Sequence, residues 1–148
     1  MNAKELLAEW RYAVQEIAAI ERQMSKISLS GPSSKGVILT DMPRGTNDPM
    51  SAACQALDHY ETLLDEVKQK NAAILEESER MLKSVDDILA RVILRHYYGD
   101  DKTDEQISII LEKARETITR RRTMAENYLQ KTFVPSQKIT DYHMSSML

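Results

Sequence analysis

Residues 103–130 read TDEQISIILEKARETITRRRTMAENYLQ, and this stretch organises the chain. Thr103, with Gln106 three residues on, forms a capping box, in which hydroxyl and amide satisfy backbone N–H groups reciprocally. Ile107, Ile110 and Leu111 supply the apolar face of a short helix. Glu112, Lys113 and Ala114 then make a turn, with Glu112 at a position where many such turns carry glycine. Arg115 to Gln130 is a second helix, with Ile118, Ala125 and Leu129 at core spacing. A short helix, a tight turn and a longer basic helix predict a helix-turn-helix, whose second helix enters the major groove of DNA.

The basic charge fits that reading. The second helix and its flanks carry Lys113, Arg115, Arg120, Arg121, Arg122 and Lys131 against Glu116 and Glu126, whereas the whole chain of 148 residues carries a net charge of −3. Each Lys or Arg that meets a phosphate releases counterions, so DNA contact favours such a local concentration. At about 100° per residue, Ile118, Ala125 and Leu129 define the inner face of the second helix. Glu116, Arg120, Thr123 and Asn127 lie opposite, with Thr119 at the edge and Arg115 at the N-terminus. Arg115, Glu116, Thr119 and Arg120 are the candidate base readers, since Arg suits guanine and Glu accepts from cytosine. Thr123 shares their face. Arg122, Lys113 and Thr103 are placed for phosphates or supporting contacts. The structural alternative pairs Glu116 with Arg120 across one helical turn, and Arg121 and Arg122 with Asp86 and Asp87.

The run 89–129, LARVILRHYYGDDKTDEQISIILEKARETITRRRTMAENYL, resembles region four of bacterial sigma factors. It is more similar still to small phage regulators of late transcription, of the ArpU/RinA type. The matching features are Arg91-Val-Ile-Leu-Arg-His-Tyr-Tyr, Thr103 with Gln106-Ile107, Ala114-Arg-Glu-Thr-Ile118, then Ala125 and Leu129. Arg121 and Glu126 stand where sigma factors carry apolar residues. The resemblance implies a phage or prophage transcriptional regulator that activates phage genes, with double-stranded DNA and RNA polymerase as partners and a bacterial cytoplasm as its setting. Phage proteins of this kind also have a helical N-terminal half with a Gly/Pro-rich loop, which the MPRGTND stretch resembles.

Upstream, Ala3, Leu6, Trp10, Ala13, Ile17, Ile20, Met24 and Ile27 fall at alternating three- and four-residue steps, a heptad seam. Residues 29–48 break helix with Gly31, Pro32, Gly36, Pro43 and Gly45, around a short β-prone run at Val37–Leu39. Asp48 is placed to cap a second long helix with Pro49 at its first position. Its seam runs Ala53, Leu57, Tyr60, Leu64, Val67, Asn71, Ile74, Ser78 and Met81. Asn71 on this seam either sets register or lies at the partner's end in water. Ser84, with Asp87 reaching back, predicts a fresh helix over Val85–Tyr98, closed by a left-handed Gly99.

The expected fold is therefore all-α: a long antiparallel helical hairpin or coiled coil, then a C-terminal sigma-region-four-like helix-turn-helix. The hairpin is expected over 1–82, with helices at about 2–28 and 49–82 and loop 29–48, and serves oligomerisation or partner binding. The DNA-binding domain is expected over 83–131, and 132–148 is a tail, ordered where Phe133, Val134 or Ile139 finds a groove. A homodimer or higher oligomer is expected.

Other chemistries lack their residues. Cys54 is the one cysteine, so no internal disulfide forms. No apolar run approaches the roughly 20 residues of a membrane span. His59, His96 and His143 lack partners at metal-site spacing, and no P-loop, GxSxG or HExxH pattern is present. No enzyme activity, metal or cofactor is expected. Two other classes fit the same residues: a small terminase-like DNA-packaging subunit, which would form a ring, and a coiled-coil interaction protein that does not bind DNA.

Overall fold

The computed structural model describes residues 1–29 and 49–136. It is all-helical. α1 spans Ala3–Leu29 and α2 spans Pro49–Lys83; α3, Ile88–Leu94, runs into a π-helical turn, Arg95–Gly99; α4 spans Asp104–Leu111 and α5 Arg115–Thr132. Asn2 starts α1 by accepting from the Glu5 N–H at 2.9 Å, and its amide returns a bond to the Glu5 carboxylate. The start of α1 packs on the end of α2, with Leu6, Leu7 and Trp10 in one cluster with Ile74, Met81 and Leu82. The two long helices therefore run antiparallel, as a hairpin. Leu29 belongs to α1, and the rest of the expected loop, 30–48, with its Val37–Leu39 run and the Asp48 cap, lies outside the described residues, as does Ile139.

The chain forms two compact units, and the division falls inside the two long helices. One comprises residues 1–15 with 71–148, the other residues 16–70. In the first unit, the apolar cluster of α1 and α2 continues through Val85, Ala90 and Leu94 into Ala125, Leu129 and Phe133. A smaller cluster joins Ile93, Ile107 and Ile118. Ser78, fully buried, donates to the Ile74 carbonyl at 2.7 Å. Asn71 is buried, which rules out the water-facing placement.

The chain after α5 is held by its first residues. Phe133 is buried against the cluster, with the Arg80 guanidinium over its ring at 4.7 Å. Glu77, itself buried, accepts from the Ser136 N–H and pairs with Arg80.

Several local expectations need correction. α3 begins at Ile88, and its cap is Asp87, whose carboxylate accepts from the Leu89 N–H at 3.0 Å. Ser84 instead donates to the Met81 carbonyl and finishes α2. The helix expected over Val85–Tyr98 thus starts three residues later and widens into a π turn, where the Asp100 N–H reaches back to the Arg95 carbonyl. Gly99 is not left-handed; among the described residues Asp101 and Glu112 are, at φ 54° and 55°. A Cβ at Gly99 would lie 3.1 Å from Cζ2 of Trp10, so any larger residue there would push the indole by a few tenths of an ångström. Ile110, expected on the inner face of α4, is 47% exposed. An eight-residue helix buries one narrow stripe, and here that stripe is Ile107 with Leu111.

Candidate nucleic-acid interface

The capping box at the start of α4 is formed. The Thr103 hydroxyl accepts from the Gln106 N–H, and the Gln106 side chain accepts from the Thr103 N–H at 3.0 Å. α4 ends in the left-handed Glu112, whose N–H donates to the Ser108 carbonyl. A non-glycine residue adopts this conformation at a cost of roughly 1 kcal/mol or more. Ala114 then enters α5 with no side-chain cap, so the first N–H groups of α5 are open to an external acceptor. Ile118, Ala125 and Leu129 form the buried stripe of α5.

Asp104, the first residue of α4, is the keystone between α4 and α5. Arg122 grips it with two hydrogen bonds, Nε to Oδ1 at 2.9 Å and Nη2 to Oδ2 at 2.7 Å. The Thr119 hydroxyl donates to the same carboxylate at 2.8 Å. The third Arg122 donor, Nη1, bonds Glu126 at 2.8 Å, and Glu126 also accepts from the Tyr98 hydroxyl at 2.8 Å. The Arg122 guanidinium lies 4.1 Å from the centre of the Tyr97 ring, as does that of Arg11. Arg11 and Gln15 also hold the Asp101 carboxylate, at 2.8 and 3.0 Å. α1 thereby fixes the left-handed residue that leads into α4. Burial, then the bond to Glu126, pushes the Tyr98 hydroxyl well above its ordinary range, so it stays a donor.

The Arg122 guanidinium, followed by the Thr119 hydroxyl, holds the Asp104 carboxyl below its ordinary value of 3.8, against the opposing effect of partial burial. A carboxylate depressed on folding stabilises the fold above its unfolded value; that stabilisation disappears as pH falls through the lower folded value. Melting temperature should therefore drop steeply below about pH 4. The Asp104→Asn variant should melt lower at neutral pH and show a shallower acid slope. Glu77 and Glu79, also depressed, keep that slope from vanishing. Parallel curves for the two proteins between pH 2.5 and 7, followed by circular dichroism, would show that Asp104 contributes nothing.

The sequence-derived candidates therefore separate. Arg115, Glu116, Arg120 and Thr123 are exposed on α5, and Lys113 is exposed in the turn before it. Arg120 forms no ion pair with Glu116. Thr119 and Arg122 point instead into the Asp104 network, and the Thr103 hydroxyl is spent on its cap. Arg121 pairs with Asp87 at 2.9 Å, as the structural alternative had it, whereas Arg122 pairs with neither Asp86 nor Asp87. Beside this face a shallow groove between α3 and α5 is lined by Val85, Ala90, Met124 and Tyr128.

Asp104, Tyr97, Tyr98 and Glu126 did not stand out as site residues in the sequence. Two signals pointed to them: an acid at the first position of a capped helix, and the four-residue spacing of Arg122 and Glu126. Among the described residues no cluster of His, Cys, Asp or Glu is arranged to hold a metal ion, and no helix is long and apolar enough to cross a membrane. Comparison of the chain with known protein families, with characterised proteins and with solved structures gives no match.

Proposed function

We propose that the chain is a sequence-specific DNA-binding regulator of transcription, with α4 and α5 acting as a sigma-region-four-like helix-turn-helix and α5 as its recognition helix. The observation that carries this reading is the sorting of the four arginines of α5. Arg121 and Arg122 are neutralised by carboxylates, while Arg115 and Arg120 extend from the exposed face, unpaired among the described residues. Arg120 is thus left available on the side opposite the buried stripe and Arg115 at the N-terminus of α5, on a helix braced at its back. The uncapped N-terminus of α5, flanked by Lys113 and Arg115, adds N–H donors and the positive end of the helix dipole for a phosphate.

In this reading Arg115, Glu116, Arg120 and Thr123 contact base edges, and Lys113 contacts backbone. Thr119 and Arg122 hold the recognition helix in place. The resemblance to phage late-gene regulators extends the proposal to activation of phage genes in a bacterial cytoplasm through RNA polymerase, with the α3–α5 groove as the polymerase contact.

The Arg120→Ala variant should bind its selected DNA site roughly 5- to 100-fold more weakly, as loss of a base contact worth about 1–3 kcal/mol requires. It should also relax preference at one base pair while keeping its melting temperature. A mobility-shift comparison on sites selected from random DNA measures this; unchanged affinity and specificity would remove Arg120 from the interface. Absence of any binding at low salt, where electrostatic attraction is strongest, would remove DNA altogether.

A further inference from the structure

The turn between α3 and α4 is held by the first half of α1, inside the first unit. Trp10 stacks on Tyr98 and closes over Gly99. One residue on, Arg11 gives its Nε–H to the Asp101 carboxylate at 2.8 Å and lays its guanidinium over the Tyr97 ring. One helical turn later, Gln15 donates to the same carboxylate oxygen at 3.0 Å.

Two features set Arg11 apart from an ordinary surface ion pair, which contributes little. Asp101 is left-handed, at φ 54°. A non-glycine residue keeps such a conformation where its surroundings over-determine it, and two of the donors that do so come from a helix 90 and 86 residues away in sequence. The second feature is the shared ring. The Arg122 guanidinium also lies 4.1 Å from the centre of Tyr97, and Arg122 grips Asp104, the first residue of α4. Two cations beside one ring repel each other. Each is compensated by its own carboxylate, Asp101 for Arg11 and Asp104 for Arg122. Loss of Arg11 would take the cation from Asp101 and one side of the packing from Tyr97. The backbone entering α4 and the seat of Arg122 would each lose a fixed point.

We propose that Arg11 is a positioning residue for α5. Through Asp101 and Tyr97 it fixes the start of α4, and through α4 the angle at which α5 meets DNA. The proposal rests on the DNA-binding reading above, and it extends the DNA-binding unit beyond residues 83–131 to the first turns of α1. Arg11 acts without touching DNA, since its guanidinium is engaged by Asp101 and Tyr97.

Variants of the full chain test it. Arg11→Met keeps an aliphatic stem and removes the cation. Asp101→Asn removes the ion pair from the other side and tolerates a left-handed backbone. Each should bind a DNA site selected with the unaltered protein roughly 2- to 30-fold more weakly, the range for a change that acts through intervening contacts. Base preference and salt dependence should not change, since neither a base contact nor a phosphate contact is lost. The combined variant should bind no more weakly than Arg11→Met alone, because the same pair is removed. Arg11→Lys keeps the charge but lacks the planar fork that stacks on Tyr97; it should recover part of the loss, and it is the milder test where Arg11→Met does not fold. Hydrogen exchange without DNA should be faster in the variants at the Gln106 and Ile107 amides, which close the first turn of α4.

A role in stability alone would lower the melting temperature and leave the affinity of the folded protein unchanged, which would overturn the proposal. Additive losses in the combined variant, or a changed salt slope, would do the same. If the unaltered protein binds no DNA at low salt, the DNA reading falls and the role of Arg11 in presenting α5 falls with it. If the unaltered protein binds and folded Arg11→Met binds equally well, only the assignment of Arg11 falls.

Discussion

Replacing Trp10 by alanine is expected to remove about 3–5 kcal/mol of stability, the range for truncating a buried aromatic, and to lower the melting temperature by roughly 10 °C or more. Trp10 is 4% exposed. It stacks on Tyr98 with ring centroids 6.1 Å apart and planes at 18°, and its Cζ2 closes over the Gly99 backbone. Truncation opens a cavity between the start of α1 and the π turn that leads to α4, so the loss should extend to α5. Trp10→Phe should recover part of it. Chemical denaturation of the three proteins, with α5 followed by hydrogen exchange, measures both effects. A Trp10→Ala protein within 1 kcal/mol of the parent, with α5 protection intact, would show that α1 is not integral to the unit.

Arg122→Ala should be nearly as severe, for an electrostatic reason. It leaves Asp104 and Glu126 without their common cation, at 14% and 17% side-chain exposure. Breaking a fully buried pair costs roughly 3–5 kcal/mol. These side chains keep some contact with water, so about 2–3 kcal/mol is expected. Arg122→Lys should rescue little, because a lysine cannot form the two-pronged bond to Asp104 while also reaching Glu126. Arg122→Ala also separates bracing from DNA contact. If Arg122 touched a phosphate, its loss would reduce the salt dependence of binding by about one unit of slope and leave stability alone. As a brace, its loss should lower stability and leave the slope unchanged. Salt titrations on Arg122→Ala, matched by melting curves, make the comparison.

The two arginines side by side on α5 show where periodicity stops being informative. Ile118, Ala125 and Leu129 place Arg121 and Arg122 on either flank of the buried stripe, and the sequence carries that much. Which carboxylate each arginine meets depends on the approach of α3 and α4, and the chain offered Asp86, Asp87, Asp104 and Glu126 as partners. The Arg121–Asp87 pair was among the expected alternatives; the Arg122–Asp104 pair was not. Glu126 illustrates the same limit. It stands where a sigma-like pattern carries an apolar residue, yet it is half-buried because the Tyr98 hydroxyl and Arg122 both bond to it.

Sequence by itself determined the helices, the hairpin and the buried stripe of α5. Those features depend on local rules: apolar spacing, the Thr103–Gln106 box, Pro49 at a helix start, and helix breakers between Ser28 and Asp48. Tertiary structure alone decided that the start of α1 and the end of α2 close the core shared with α5. It also decided that Gly99 packs under Trp10 without a left-handed backbone, and that Thr119 and Arg122 face inward. These outcomes depend on contacts between residues as far apart as Trp10 and Gly99, or Asp104 and Arg122. Such contacts follow from the angles at which helices meet, and a one-dimensional pattern of spacing does not encode those angles.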